Sequence, residues 1–300
     1  MQLKKSKPSS PGGRSRAASL VLALTGLVAA LLLAGWAGLQ VRPAPFPPYP
    51  AASALPETLP LPEGLPAPVE RYYRALYGAR VPLVRSAVIT GRASIRPVPF
   101  LPAFPARFRF THEAGKNYRH YIEATWFGLP VMKVNETYLD GHSRQEMPWG
   151  TVENAPKADQ AANLGMWAET FSMPSVFLTD RRVRWVAVDN QTALLEVPPS
   201  TAQGGSADGS RERFVVRFDP RTHLVTAAEV MRYKTADQAA QKILWITQYL
   251  PGQTVEVYGA RLPAVGSATW LDDGKPWAYF TSESVVYNAD LSGYVRAKGL

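Results

Sequence analysis

The chemistry available to this chain is limited by its four histidines and its complete lack of cysteine. Without cysteine, thiol nucleophiles, Cys-ligated zinc and iron–sulfur clusters are all excluded. His112 and His120 flank a predicted turn, so a hairpin would bring their imidazoles together across two strands. No pair of histidines has the local spacing of a metal site. We therefore interpret His112 and His120 as a solvated or cross-strand pair, and we predict no metal, no cofactor and no catalytic residue.

Common catalytic motifs are also missing from the sequence. There is neither a GxxxxGK[ST] phosphate loop nor a GxSxG nucleophile elbow. The segment HEAGK begins like a zinc-protease helix, but Lys116 stands where the second histidine would be needed. A hydrolase that uses carboxylates such as Glu169 or Asp140 stays an alternative function, although no nucleophile or metal constellation supports it.

The segment with the most promising side chains is a predicted helix from Asp159 to Ser172, which Pro174 limits. One apolar stripe recurs at helical spacing and should pack on a sheet. Met166, Glu169 and Met173 form a second line, which we interpret as two exposed methionines around a solvated glutamate. The alternative is that this line faces a cavity, a lid or another element, with Glu169 as a polar contact. The predicted ligand-binding residues are Met166, Trp167, Glu169, Phe171, Met173 and Phe177.

An uncharged stretch from Ala17 to Leu39 precedes this region by more than a hundred residues. About 20 apolar residues span a bilayer, whereas a cleaved signal has an apolar region of roughly 7–15. We predict a retained transmembrane helix over 17–41, with cleavage after Ala37 as the alternative. A lipid anchor on cysteine is excluded because Trp36 occupies the position where the lipidated residue would stand.

The positive charge of the chain belongs mainly to this N-terminal region. Six of the 33 basic residues precede residue 43, which leaves 27 basic residues against 24 acidic ones. This distribution argues for a basic cytoplasmic tail over 1–16 rather than for nucleic-acid binding. We predict a single-pass protein of the cytoplasmic membrane, with its N-terminus inside and its larger part outside the cytoplasm.

A proline-rich stalk over 42–67 follows the predicted anchor, with ten prolines between Arg42 and Pro68. Such a segment favours a semi-rigid polyproline II spacer, which would hold a domain clear of the lipid headgroups. A ligand for a proline-recognition domain is the alternative role.

The remaining residues, 68–300, are predicted to form one extracytoplasmic β-rich domain. A short helix begins near Pro68 and ends at Gly78, and strand signals follow that are joined by tight turns. Hairpin turns are expected at Gly115, Asp140-Gly141 and Asp189-Asn190. Because tight turns rather than helical crossovers connect these strands, the sheet should be antiparallel. The fold class is therefore mainly β (α+β), with a few packed helices.

Five segments in their order resemble a family of uncharacterised bacterial proteins in which a stalk precedes a β-rich domain of unknown function. The segments are LPAPVERYYRALYG, TWFGLPVMKVNETYLDG, WAETFSMPSVFL, VRWVAVDNQTALLEV and VVRFDPRTHLVTAAEVMRY. The resemblance covers Leu65 to Tyr287 and carries no catalytic residues. This chain departs from the family pattern in a hydrophilic insertion at Gln203 to Arg211.

The family is also similar to the half-barrel of periplasmic lipoprotein carriers, in which a curved antiparallel sheet wraps a helix and binds acyl chains. That resemblance implies a large curved, half-barrel-like sheet and an apolar or lipidic ligand. The sequence thus supports a membrane-anchored, non-enzymatic binding protein. A structural envelope protein is a further alternative, and the oligomeric state stays open.

Overall fold

A computed structural model describes residues 16–50, 55–98, 100–200 and 211–297 of the protein. The predicted cytoplasmic tail, apart from Arg16, lies outside these residues, as do residues 203–210 of the hydrophilic insertion. Four α-helices occur in the described part: α1 (Arg16–Gln40), α2 (Ala67–Tyr77), α3 (Pro156–Glu169) and α4 (Val176–Thr179). A short 3-10 helix, Thr170–Ser172, extends α3, and another covers Leu271–Asp273.

Most of the described chain is β-structure. The strands are β1 (Thr58–Pro60), β2 (Arg80–Pro82), β3 (Ser86–Ile95), β4 (Phe104–Glu113), β5 (Asn117–Trp126), β6 (Leu129–Leu139), β7 (His142–Met147), β8 (Gly150–Glu153), β9 (Arg184–Ala187), β10 (Thr192–Val197), β11 (Glu212–Phe218), β12 (Val225–Tyr233), β13 (Lys242–Tyr249), β14 (Thr254–Val257), β15 (Ala260–Pro263), β16 (Val265–Trp270) and β17 (Pro276–Tyr287).

Thirteen of these strands form one antiparallel sheet in the order β8-β7-β6-β5-β4-β3-β17-β16-β13-β12-β11-β10-β9. Strands β3 to β8 form one arm of consecutive hairpins, and β9 to β13 with β16 form the other arm. The last strand, β17, lies between β3 and β16 and joins the two arms. The predicted antiparallel β-fold is confirmed, and in the described residues the sheet is not closed into a barrel.

The hairpins turn where the sequence predicts. Asp140 and Gly141 both have positive φ, at 52° and 93°, between β6 and β7. Positive φ at both central residues matches the right-handed twist of paired strands, and glycine and aspartate tolerate it. Gly115, with φ of 66°, turns β4 into β5. These turns fix the register that later decides which side chains share a face.

The sheet curves around α3. This helix contacts β6 and β7 on one arm and β12 on the other. In a flat sheet, β6 and β12 would be roughly 34 Å apart at about 4.8 Å per strand, whereas a helix is only about 10 Å across. Contact with both arms therefore requires the strong curvature that the resemblance to a half-barrel implies.

Because α3 lies between the arms, it is buried on nearly every side. All residues from Ala162 to Ala168 are buried, including Met166 at 2 % exposure, and Met173 beyond the helix is fully buried. The interpretation of two exposed methionines around a solvated glutamate is therefore wrong. It assumed a surface helix with a single apolar stripe, whereas this helix packs on two arms at once.

The helix α2 follows its prediction closely. Pro68 occupies its first turn and Gly78 its C-cap, with φ of 71°. Val69, Tyr72, Tyr73 and Leu76 are its buried apolar face and join the main core.

At the N-terminus, α1 is the one described helix that is long and apolar enough to cross a membrane, which fits a single-pass anchor. The predicted stalk differs from a free spacer in two places. Thr58–Pro60 is strand β1 and pairs with β2. The ring of Phe46 lies 4.5 Å from the Arg107 guanidinium and packs on Tyr121. The Arg107 and Arg109 guanidinium groups also donate to the Ala44 and Pro47 carbonyls, each at 3.4 Å, so this part of the stalk lies against the domain.

The seam between β3 and β17 depends on Gly91. It pairs with Ser282, next to a bulge between Ser282 and Ser284 on β17. A Cβ atom at Gly91 would overlap the backbone carbonyl oxygen of Thr281, so the two strands meet more closely here than any other residue allows.

We predict that Gly91→Ala lowers the free energy of unfolding by at least about 2 kcal/mol, because the seam must open to admit the methyl group. Thermal unfolding of the full chain in detergent should show a midpoint lower by roughly 4 °C or more. Gly266→Ala, on β16, is the matched control. Its Cβ would meet its nearest neighbour, Tyr249, at an ordinary 3.6 Å. Equal midpoints for the two variants would contradict the proposed close approach.

Candidate functional site

A cavity of about 160 Å³ lies between α3 and the concave face of the sheet. Its wall is mainly apolar and aromatic. The main apolar lining residues are Ile89, Phe108, Phe110, Ile122, Ala168, Trp245, Tyr249, Ala268, Trp277 and Phe280. Three phenyl rings form the centre of this wall. The ring centroid of Phe280 lies 5.4 Å from that of Phe108, in an edge-to-face arrangement, and 5.5 Å from that of Phe110. Phe108 and Phe110 also contact each other, with ring centroids 4.5 Å apart, and such aromatic pairs contribute about 0.5–1.5 kcal/mol beyond the area that they bury.

Strand alternation explains this wall. Phe108 and Phe110 are two residues apart on β4. Ile122 on β5 pairs directly with Phe108. Successive side chains of a strand point to opposite faces, so these residues share the concave face.

A second, more polar cavity of about 650 Å³ adjoins the first. Three residues line both cavities: Glu136, Arg232 and Trp277. The second cavity also has Lys234 and Lys275 in its wall. The two cavities thus meet at these three residues. The first is the more apolar, and the wall of the second contains both lysines and the carboxylates of Asp237 and Asp273.

Arg232 occupies the junction of the two cavities. Its guanidinium lies 4.3 Å from the Trp245 ring and 5.4 Å from the Trp270 ring, and its Nε donates to the Ala161 carbonyl at 2.8 Å. Burial lowers its pKa from the ordinary arginine value, but a guanidinium stays charged at neutral pH. In the described part of the chain no carboxylate lies within ion-pair distance of it. Its direct contacts are therefore aromatic faces and a backbone carbonyl, whereas the carboxylates of Glu136 and Glu169 act on it from beyond ion-pair distance.

Against one wall of the apolar cavity lies a cluster of two imidazoles and a carboxylate. The Nε2 atoms of His112 and His120 lie 3.0 Å and 2.7 Å from the same atom, Oε2 of Glu169. His112 is fully buried and His120 nearly so, whereas the Glu169 side chain keeps 25 % of its exposure. The interpretation of His112 and His120 as solvated is therefore wrong, although the two rings do meet across the hairpin, 5.5 Å apart.

The strands and α3 together build this cluster. In the β4–β5 register, His112 pairs with Tyr118 and Phe110 pairs with His120, so the two histidines lie diagonally across the hairpin on the concave face. The His120 ring stacks on Tyr118, with ring centroids 3.9 Å apart. The last residue of α3, Glu169, then meets both imidazoles from above the sheet.

Burial and the imidazoles act in opposite directions on Glu169. Burial by itself would raise its pKa, but the adjacent His120 and His112 outweigh it and lower the pKa to about 2. For His112, burial is the largest effect and lowers the pKa of the imidazole, against the raising influence of Glu169. At neutral pH we therefore expect a carboxylate beside a neutral His112.

Of the six residues predicted to bind a ligand, Glu169 lines the apolar cavity. The other five, Met166, Trp167, Phe171, Met173 and Phe177, are buried members of the main core and do not line it. These side chains pack with one another, as in the 4.9 Å contact between the rings of Phe171 and Phe177. They also pack against the arm that contains β9 and β13. Asp140, named for the hydrolase alternative, is an exposed turn residue paired with Arg296 at 2.8 Å.

Sequence reasoning missed Arg232, Trp245, Glu136 and Phe280. A signal was present for Arg232: it follows the buried core residues Ala228 and Val230 at two-residue spacing, so alternation puts a cation on the concave face of β12. The same alternation after Phe108 and Phe110 puts His112 there. The pattern that indicates the site is therefore an ionisable residue two positions after the apolar residues of a buried strand face.

Comparison with known proteins identifies the relatives of this chain. A match to a described family of unknown function, DUF6544, extends over residues 56–282. The chain belongs to the DUF6544 family. This confirms the resemblance to a family of unknown function that the five segments indicate. No curated protein is similar enough to this member of DUF6544 to count as a match.

Solved structures similar to this DUF6544 protein include a LolA superfamily protein from Nitrosomonas europaea, with a TM-score of 0.43, 10 % identity and coverage of 76 % of this chain and 96 % of that one. A Vibrio parahaemolyticus domain assigned to outer membrane lipoprotein sorting has a TM-score of 0.40, 8 % identity and coverage of 75 % and 91 %. A DUF1329 family protein from Desulfovibrio piger has a TM-score of 0.39, 14 % identity and coverage of 70 % of this chain and 88 % of that one.

Proposed function

We propose that this protein is a membrane-anchored, extracytoplasmic binding protein that holds the apolar part of an amphiphile between α3 and its curved sheet. The observation that carries the proposal is the cavity lined by Phe108, Phe110 and Phe280 beneath α3. Cavities walled by apolar and aromatic side chains, with a few convergent polar groups, are the usual sites for small apolar ligands.

The size of the cavity limits the ligand. A cavity of about 150 Å³ lined by apolar residues holds a molecule the size of benzene. The 160 Å³ here would therefore take a short apolar group or the end of an acyl chain. The polar part of the ligand would extend past Arg232 into the 650 Å³ cavity.

The charge at the junction favours an anionic amphiphile. Arg232 lines both cavities, and among the described residues no carboxylate lies at ion-pair distance from it, so its guanidinium contacts the Trp245 and Trp270 rings. A carboxylate or phosphate can accept two parallel hydrogen bonds from a guanidinium. A fatty acid, or another amphiphile with an oxyanion head, would thus suit both cavities.

Access from a membrane is supported by the tip of the β5–β6 hairpin. The Trp126 indole donates to the Gly35 carbonyl of α1 at 3.0 Å, and the Phe127 amide donates to the Gly38 carbonyl at 2.9 Å. Trp126, Phe127 and Leu129 are exposed at this tip. Tryptophan and other aromatic residues at the end of a membrane helix favour the headgroup region. The sheet would therefore sit close to the bilayer rather than at the end of a free stalk.

We predict that Phe280→Glu reduces labelling of the protein by a diazirine fatty acid at least tenfold, because a carboxylate in the cavity opposes an apolar chain. The full chain, reconstituted in lipid nanodiscs, would be photolabelled and the labelled peptides identified by mass spectrometry. Tyr279→Glu is the matched control, since Tyr279 is exposed and adjacent to Phe280 on the same strand, so its side chain points to the other face. Equal labelling of both variants, with unchanged thermal unfolding, would overturn the proposed cavity site.

A second prediction concerns the head of the ligand. Decanoic acid should compete with the label for the site more strongly than decanol does. Arg232→Gln should reduce this acid-to-alcohol preference ten- to hundredfold, because a hydrogen bond to a charged group contributes about 1.5–3 kcal/mol. Met231→Gln is the control, because Met231 is exposed on the other face of β12. If the acid-to-alcohol preference of Arg232→Gln equals that of the wild type, the ligand's head is not bound at Arg232.

A third prediction concerns the anchor. In inner-membrane vesicles of known orientation, protease added on the extracytoplasmic side should digest residues after Arg42 and leave a membrane-bound fragment that starts at the original N-terminus. Protection of the C-terminal part in intact right-side-out vesicles, or a mature N-terminus at Gly38, would contradict a retained anchor with the proposed orientation.

A further inference from the structure

Three metal-ligand side chains converge at the wall of the apolar cavity. One donor atom from each of His112, His120 and Glu169 lies within 4.8 Å of the other two. His112 and His120 come from two neighbouring strands, and Glu169 comes from α3, more than forty residues later in the chain. The fold therefore assembles this donor set from three elements, and no single local motif contains it.

Hydrogen bonds do not account for this convergence. The Nε2 atoms of both histidines and the Oε2 atom of Glu169 are buried and have no hydrogen-bond partner of acceptable geometry. Their separations of 3.0 Å and 2.7 Å are short enough, but the ring N–H directions do not align with the carboxylate oxygen. Buried polar atoms without a partner cost roughly 1–3 kcal/mol each, so such groups require an explanation.

We propose that His112, His120 and Glu169 bind a divalent first-row transition-metal ion, with Zn²⁺ as the simplest occupant. Imidazole nitrogens and one carboxylate oxygen form a donor set that zinc and non-haem iron use in proteins. Mg²⁺ and Ca²⁺ prefer oxygen donors throughout, so two imidazoles select against them. A metal at this position would satisfy the three unpaired atoms at once.

Neighbouring rings hold the donors near the required positions. The His120 ring is fixed between Tyr118, with centroids 3.9 Å apart, and Phe110, with centroids 4.1 Å apart. His112 is fully buried beside Tyr118. Ligands of tetrahedral zinc, at about 2.0–2.2 Å from the ion, lie about 3.4 Å from each other. The Glu169 oxygen needs to move only about 0.4 Å and 0.7 Å further from the two imidazole nitrogens, now at 3.0 Å and 2.7 Å, which a rotation of its side chain can supply.

The remaining coordination position would face the cavity. His120 and Glu169 both line the apolar cavity, and the Glu169 side chain keeps 25 % of its exposure. Three protein ligands with one open position are typical of zinc sites that bind water or a substrate oxygen, whereas structural zinc sites have four protein ligands. The open position would accept water or an oxyanion of a small molecule. This inference does not depend on which apolar ligand the cavity holds.

Metal binding can be measured against a low background, because the full chain has only four histidines and no cysteine. The protein would be purified in detergent with a histidine-free tag, stripped with a chelator and titrated with Co²⁺ and Zn²⁺. We expect one equivalent of Co²⁺ to produce visible absorption bands that one equivalent of Zn²⁺ abolishes. Zn²⁺ should also raise the midpoint of thermal unfolding of the stripped protein, because an ion that binds only the folded state stabilises it.

Glu169→Gln and His120→Gln test the donor set with little change of volume. Each variant should weaken Co²⁺ binding at least tenfold and lose the thermal shift that Zn²⁺ produces. The control is a variant in which both other histidines are replaced, His142→Gln with His223→Gln. The side chain of His142 is 65 % exposed and lies 3.8 Å from Asp159, so this control also removes a second histidine–carboxylate contact found among the described residues. It should bind Co²⁺ as the wild type does.

Two results would overturn the metal site. One is a folded, stripped wild-type protein that shows neither Co²⁺ bands nor a thermal shift with Zn²⁺, which would leave His112, His120 and Glu169 as a proton-sharing cluster. The other is unchanged Co²⁺ binding in Glu169→Gln and His120→Gln together with its loss in the control, which would assign the ion to His142 or His223 instead.

Discussion

The helix α3 is wedged between the two arms of a single sheet, and the rest of the architecture depends on that contact. Its polar side chains reach both arms: Asp159 accepts from the Ser143 amide at 2.6 Å on β7, and Gln160 donates to the Met231 carbonyl at 3.3 Å on β12. These two buried polar side chains of the helix thus have partners on opposite arms, which only a curved sheet can bring to one helix. If the arms opened, these groups would lose their hydrogen bonds while their apolar neighbours lost their packing.

The position of α3 between the arms also creates the apolar cavity. One part of α3 packs tightly into the main core through Leu164 and Trp167, whereas Gly165, Ala168 and Glu169 line the cavity. Small residues at two of these positions keep the helix from filling the space. Glu169, at the end of the helix, is then the point where an apolar cavity, two imidazoles and a carboxylate coincide.

Much of the fold was predictable because it is local. Tight turns at Gly115 and Asp140-Gly141 specify antiparallel hairpins, and Pro68 with Gly78 delimits α2. The site was only partly predictable. Glu169, His112 and His120 were each noticed in the sequence, but nothing local in the chain shows that a helix more than forty residues away meets the hairpin. The prediction of two exposed methionines around a solvated glutamate is wrong for a related reason: one apolar stripe suffices for a surface helix, whereas α3 packs against both arms of the folded sheet.

The open sheet has a consequence for self-association. Within the described residues, its outer strands are β8 and β9, and each has only four residues. A foreign strand could therefore pair along no more than about 13 Å of backbone at either margin. Short edge strands of this kind are a common means by which β-proteins avoid edge-to-edge polymerisation. An open, curved sheet can in this way surround a cavity without offering a long edge as a template for fibrils.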